Sequence, residues 1–155
     1  MMRFTWIAAA TLALALAACG QSSNTETTSS VATATQEKSP QEIATAIANL
    51  PAPYNTADYQ AGRSAFAQCR ACHSLDGNRV GPNLHGLFGR TAGTEPDFSY
   101  SDALKNAGFA WDADHLDHWL TNPREFLPGN RMAFIGIRDE AQRRNLIAYL
   151  MIETK

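Results

Sequence analysis

Apolar and polar positions divide the chain into three zones. From Phe4 to Ala18 the residues are almost all apolar. From Gln21 to about Pro53 they are mostly Ser, Thr, Ala, Asn and Gln, with no large aliphatic run before Ile43. Beyond Pro53 the apolar residues recur at helical spacing. Ala61, Ala65 and Phe66 give one face to a helix expected over Asp58 to Arg70, with Gly62 allowing another backbone close. Ser101 is a plausible N-cap for a short helix through Asn106, ended by Gly108. Asp112 caps a segment Ala113 to Thr121 that must stop before Asn122-Pro123. A further turn is expected over Pro123 to Leu127. Asp139 opens the last helix, through about Ile152, with Leu146, Ile147, Tyr149 and Leu150 on its apolar face. No stretch alternates with period two and no repeat is present, so the expected class is all-α: helices joined by long loops.

The first zone is too short for a comfortable membrane span and suits an export signal over residues 1–18, with Arg3 as its one charge. It ends Leu16-Ala17-Ala18-Cys19-Gly20, which resembles the bacterial lipoprotein box. Cys19 is therefore the expected lipidation site. Cleavage near an Ala-x-Ala site and an uncleaved signal anchor are the competing readings. Residues 19–53 are expected to be a lipidated N-terminus and flexible linker, with a possible short helix over Gln41 to Leu50 stopped by Pro51 and Pro53. Such a linker has a typical end-to-end distance of roughly 30 Å. Residues 54–155 are then the folded domain, about 100 residues with a core that is marginal by itself. The formal net charge of −2 gives no electrostatic case for nucleic acid.

Candidate chemistry sits at Cys69-Arg70-Ala71-Cys72-His73. Two cysteines three apart, followed at once by histidine, read as covalent attachment of a c-type haem. Each thiol adds to one vinyl group and His73 supplies the proximal imidazole. A redox dithiol or half a zinc site competes. The dithiol wants a strand before it, and zinc wants a second ligand pair, whereas the one other cysteine is Cys19. For the opposite face of the iron the candidates are Met132, His85, His115 and His118, with Met151 less favoured. Met132 follows the stiff loop Leu127-Pro128-Gly129-Asn130-Arg131, and a neutral thioether suits an apolar pocket. Glycines spaced through residues 81–93 suggest backbone pressed against a flat ring.

Taken together, Gly62…Phe66, Cys69 to His73, Gly81-Pro82-Asn83-Leu84-His85-Gly86-Leu87-Phe88-Gly89-Arg90, Phe98 to Ala103, Trp111, Leu127 to Met132 and Asn145 to Leu150 resemble a class I cytochrome c of the mitochondrial and bacterial type. The resemblance runs from Gly62 to Tyr149. It implies a cytochrome c fold around one covalent haem c held by Cys69 and Cys72, with His73 and Met132 on the iron. It further implies that the Pro82 carbonyl fixes the His73 tautomer, that Tyr100 and Trp111 bind a haem propionate, and that Arg90 offsets its charge. Gly62 and Phe66 should pack against Leu146 and Tyr149. His85 becomes a loop residue, and His115 and His118 solvated ones.

Departures from the family are Trp119 where many relatives have tyrosine, Leu104 for a frequent polar residue, and Arg131 with little of the lysine-rich ring. The loop between His73 and Pro82 is also shorter than in the mitochondrial type. The implied function is a non-enzymatic, single-haem electron carrier. It would be lipid-anchored to the cell membrane on the periplasmic or outer side, monomeric, and would shuttle between respiratory or photosynthetic complexes, such as a cytochrome c reductase and a terminal oxidase. A haem peroxidase-like enzyme and a permanent subunit or sensor of a larger complex are the alternatives.

Overall fold

A computed structural model describes residues 37–155 of the chain. The expected signal at residues 1–18 and Cys19 lie outside the described residues. Among the described residues six helices follow in order: α1 (Pro40–Ala48), α2 (Tyr59–Phe66), α3 (Asp102–Lys105), α4 (Ala113–Thr121), α5 (Pro123–Phe126) and α6 (Glu140–Glu153), with a 3-10 turn at Tyr54–Thr56. Among the described residues the one β contact is an isolated bridge, Thr91 to Ala110. The fold is the all-α, helix-and-loop class that the pattern implies.

Each helix starts where a short polar side chain can take an orphan backbone N–H. Asp58 accepts from Ala61, Ser101 from Leu104, Asp112 from His115, Asn122 from Glu125 and Asp139 from Gln142. At α1 the Ser39 and Glu42 side chains each satisfy the other's backbone. α2 ends four residues earlier than expected. From Phe66 the ladder tightens: Cys69 N–H donates to Phe66 O and Cys72 N–H to Cys69 O, three residues back in each case. This turns the chain so that the Cys-x-x-Cys-His segment wraps rather than extends.

The crossing of α2 and α6 holds the fold. Gly62 lies so close to α6 that a Cβ there would fall 2.2 Å from the Asn145 carbonyl oxygen and 2.8 Å from Tyr149 Cβ. The Asp58 N–H donates to Asn145 Oδ1 at 3.0 Å. Tyr149 packs its ring against Phe66 and Tyr59, each at a centroid distance of 5.3 Å. Leu146, Ile147 and Ala148 are fully enclosed. α4 adds Leu116, Trp119 and Leu120 to the same core.

The compact unit begins earlier than Tyr54: it runs from Glu37 to Lys155. Leu50 is buried and Ala46 packs on the core. Lys38 pairs with Glu153 at 2.9 Å, and Glu37 pairs with Arg63. Residues 37–53, about half of the expected linker, therefore pack as part of this unit, because α1 has an apolar edge that α6 and the 3-10 turn cover.

Candidate haem-binding site

One cavity of about 620 Å³ lies inside the domain, and every residue singled out for a haem borders it: Cys69, Cys72, His73, Pro82, Arg90, Tyr100, Trp111 and Met132. A volume of that order suits a flat macrocycle rather than a lone ion. The sequence spreads these residues over more than half of the domain. The α2–α6 crossing, the 78–104 loops and the loop after α5 bring them together.

At one side, the tightened turn after α2 presents the two thiols and the imidazole. Cys69 and Cys72 are not bridged to each other by a disulfide. Burial, and to a lesser degree the neighbouring Cys72, push the Cys69 thiol up to about 11, so it is protonated at neutral pH. Burial lowers the basicity of His73, opposed by its bond to Pro82. Nδ1 of His73 lies 2.8 Å from the Pro82 carbonyl oxygen. A carbonyl only accepts, so Nδ1 carries the hydrogen and Nε2 keeps its lone pair. Gly81 presses on the same ring: a Cβ there would fall 2.4 Å from Cε1 and 2.7 Å from Nε2. The flat ring served by this glycine is the imidazole itself.

Met132 reaches the cavity from a loop fixed at both ends. Its N–H donates to Asn130 Oδ1 at 3.0 Å, and Asn130 Nδ2 donates to the carbonyls of Pro123 at 2.7 Å and Leu127 at 2.8 Å. Downstream, Ile137 N–H donates to Leu120 O at 2.7 Å. Gly136, at φ +100°, sits against the Thr121 carbonyl, where a Cβ would be 2.1 Å away. The buried Arg143 bonds the Ile137 and Arg138 carbonyls at 3.0 and 2.9 Å and pairs with Asp117. Sequence reading passed over Asn130 and Arg143; the signal for Asn130 was its place between Gly129 and the candidate ligand. His85, His115, His118 and Met151 do not border the cavity. His115 stacks on Phe109 at 4.5 Å and bonds Asp112 at 2.7 Å rather than standing free in solvent.

Trp111 is buried with its ring edge-on to Trp119 at 5.4 Å, and its backbone N–H donates to the Arg90 carbonyl at 2.9 Å. Trp119 and Leu104 border the cavity and give it apolar walls at the two positions where the resemblance led one to expect a tyrosine and a polar residue. Tyr100 is buried, and burial raises its phenol above the ordinary value. Arg90 borders the cavity and is tied into its wall. Its guanidinium is already engaged, by Glu95 and by the carbonyls of His85 at 3.1 Å and Asn83 at 2.7 Å. Two of its five N–H donors are left over from these bonds. Arg131 bonds the Ser99 carbonyl.

The donor set fits a covalent haem: two thiols three residues apart, a neutral imidazole of fixed tautomer and a thioether face one apolar chamber. This is the constellation of a c-type haem protein. The comparisons agree. The family model for cytochrome c matches residues 59–152. Cytochrome c of Stellaria longipes is 42% identical over 106 residues, which cover 66% of this chain and 98% of that protein. Cytochrome c2 of Agrobacterium tumefaciens is 45% identical over 100 residues, covering 61% and 90%. Among solved structures, cytochrome cH from Methylobacterium extorquens matches with a TM-score of 0.59 at 44% identity, covering 61% of this chain and 97% of that one. The chain belongs to the cytochrome c family. It carries a single covalent haem c and is an electron carrier rather than an enzyme.

Proposed function

We propose that this protein is a membrane-tethered carrier that passes single electrons between membrane-bound redox complexes, from a cytochrome c reductase toward a terminal oxidase, on the periplasmic side. The observation that carries the reading is that Cys69, Cys72, His73 and Met132 border one apolar cavity. In this reading Cys69 and Cys72 form the thioethers, and His73 Nε2 and Met132 Sδ are the iron ligands. A haem held there supplies reversible one-electron exchange at its iron. Pro82 keeps His73 in the ligating tautomer. Asn130 and Arg143 hold the Met132 loop so that both oxidation states share nearly one geometry. Trp119, Leu104 and the α6 side chains exclude water, which with a neutral sulphur ligand favours the ferrous state. Tyr100 and Trp111 are assigned to the haem carboxylates. The site asks nothing of acid–base groups, and a seated Met132 leaves no open iron position for a peroxidase.

The anchor in this proposal is Cys19, lipidated at the end of the export signal, with the monomeric domain on a tether of the residues before Glu37. Two or three acyl chains hold durably where one does not, and the tether raises the local concentration of partners. No helix among the described residues is long and apolar enough to cross a membrane, so in this reading attachment falls to the N-terminal segment. Intact mass of the membrane-purified protein tests it: loss of residues 1–18 with added acyl mass is expected, and an unmodified chain or one retaining Met1 refutes it.

A further inference from the structure

Arg90 and Glu95 form an ion pair whose side chains are only 14% and 13% exposed. Arg90 borders the cavity; Glu95 stands off it and reaches the guanidinium from outside. The guanidinium has five N–H donors. Those on Nη1 go to Glu95 and the His85 carbonyl, and one on Nη2 goes to the Asn83 carbonyl. Two donors remain for a haem carboxylate, but the charge behind them is already balanced. Tyr100 lies near both members of the pair, which act on its phenol. Nothing in the chain's helical pattern requires an acid at position 95, and the segment would close its turn without one, since Thr94 Oγ1 bonds the Thr91 carbonyl at 2.7 Å.

We infer that Glu95 is a potential-setting residue: its carboxylate, locked to Arg90 at the cavity wall, cancels the cation that would otherwise favour the ferrous haem, and so shifts the iron toward the ferric state. The inference rests on the proposed reading, in which Arg90 faces the haem carboxylates. The sign follows from charge. Oxidation adds one positive charge at the iron. A nearby carboxylate stabilises that charge, and its shielding from bulk water keeps the interaction from being screened away. Glu95 touches neither iron nor macrocycle in this scheme; it acts through Arg90 and through the field.

The test is the midpoint potential of the haem-loaded protein at pH 7, read by spectroelectrochemistry, with the sulphur-to-iron band recorded on each sample. Glu95→Gln keeps the shape and removes the charge. Glu95→Ala removes the charge without an isostere and gives a second reading if the first variant loads haem poorly. Glu95→Asp keeps the charge. Asp102→Asn removes a carboxylate that is 92% exposed and serves as the solvated control. Both charge-removing variants should lower the ferric-to-ferrous ratio at a fixed electrode potential by about threefold to tenfold, tenfold being about 59 mV for one electron. Glu95→Asp and Asp102→Asn should stay within about 1.5-fold of the unaltered protein. An unchanged potential in Glu95→Gln or Glu95→Ala overturns the inference, as does an equal shift in Glu95→Asp, which would mark the effect as one of shape. A missing sulphur band in the unaltered protein would instead sink the ligand assignment, while the potentials still decide the role of Glu95.

Discussion

His73 is held from two sides by consecutive residues: Gly81 lies against the face of its imidazole, and the Pro82 carbonyl accepts from Nδ1 at 2.8 Å. The eight residues between the ring and its acceptor form a loop that Gly81 N–H itself ties back, donating to Cys72 O at 2.8 Å. Orientation and tautomer of the proximal ligand are thus properties of one short loop.

Gly81→Ala should displace the imidazole, because its new Cβ would fall 2.4 Å from Cε1. A loss of about 1–3 kcal/mol is expected from overpacking alone. Chemical denaturation of the haem-loaded variant measures it, with a changed low-spin spectrum as the sign that the ring has moved.

Met132→Ala should abolish the weak charge-transfer band near the red end of the oxidised spectrum while haem stays with the polypeptide on a denaturing gel. Persistence of that band would remove Met132 as ligand. Free haem after acid–acetone extraction would remove the thioethers at Cys69 and Cys72.

Gly62→Ala should destabilise the domain by about 1–3 kcal/mol or more, since the obstacle is backbone, the Asn145 carbonyl at 2.2 Å, rather than a side chain that can swing away. Thermal unfolding with haem absorbance and far-UV dichroism recorded together should show one shifted transition.

Tyr59 gives the pH prediction. Burial first, and then its 2.8 Å bond to Glu153, raise its phenol above the ordinary value. The folded state therefore favours the neutral phenol. This contribution is complete below about pH 10, the unfolded value, and is lost as pH rises through the folded one. Tyr59→Phe should cost about 1–2 kcal/mol at pH 7 and flatten the fall in stability above about pH 10. A parallel fall in both proteins would show that this phenol does not drive alkaline loss.

The helix starts were legible because each rests on a local device. Ser101, Asp112 and Asp139 are caps that a sequence shows directly, and the last helix was expected to within a residue of α6. The place of Met132 at the cavity was legible from its stiff preceding loop and from the family pattern. What escaped depends on contacts between distant segments. α1 has an ordinary polar face, and only α6 and the 3-10 turn show what its edge packs against. The pairing of Glu95 with Arg90 escaped because the turn that brings them together, through Gly93 at φ +76°, is not written in any periodicity. Arg143, on a helix of mixed composition, gave no sign that it would tie down the chain following Met132.

A salt series tests how partners are approached. Residues 54–155 carry 11 Lys and Arg against 12 Asp and Glu, and two large apolar residues, Val80 and Ile135, stand 79% and 90% exposed. Electron delivery to the native acceptor membrane should fall less than about threefold between roughly 10 and 150 mM salt, as the Debye length drops from about 30 to 8 Å. A tenfold fall would show strong attractive steering by a local basic patch.

The α2–α6 crossing also dictates an order of events during synthesis. The Asp58 N–H finds its acceptor on Asn145, 87 residues further along, and Leu146 and Leu150 wall the cavity from the same late helix. A chain emerging with its N-terminus first presents both thiols of the Cys-x-x-Cys-His turn well before that wall exists. Attachment chemistry thus has a window in which Cys69 and Cys72 are reachable. Arrival of the last helix then shuts the chamber over whatever has been attached.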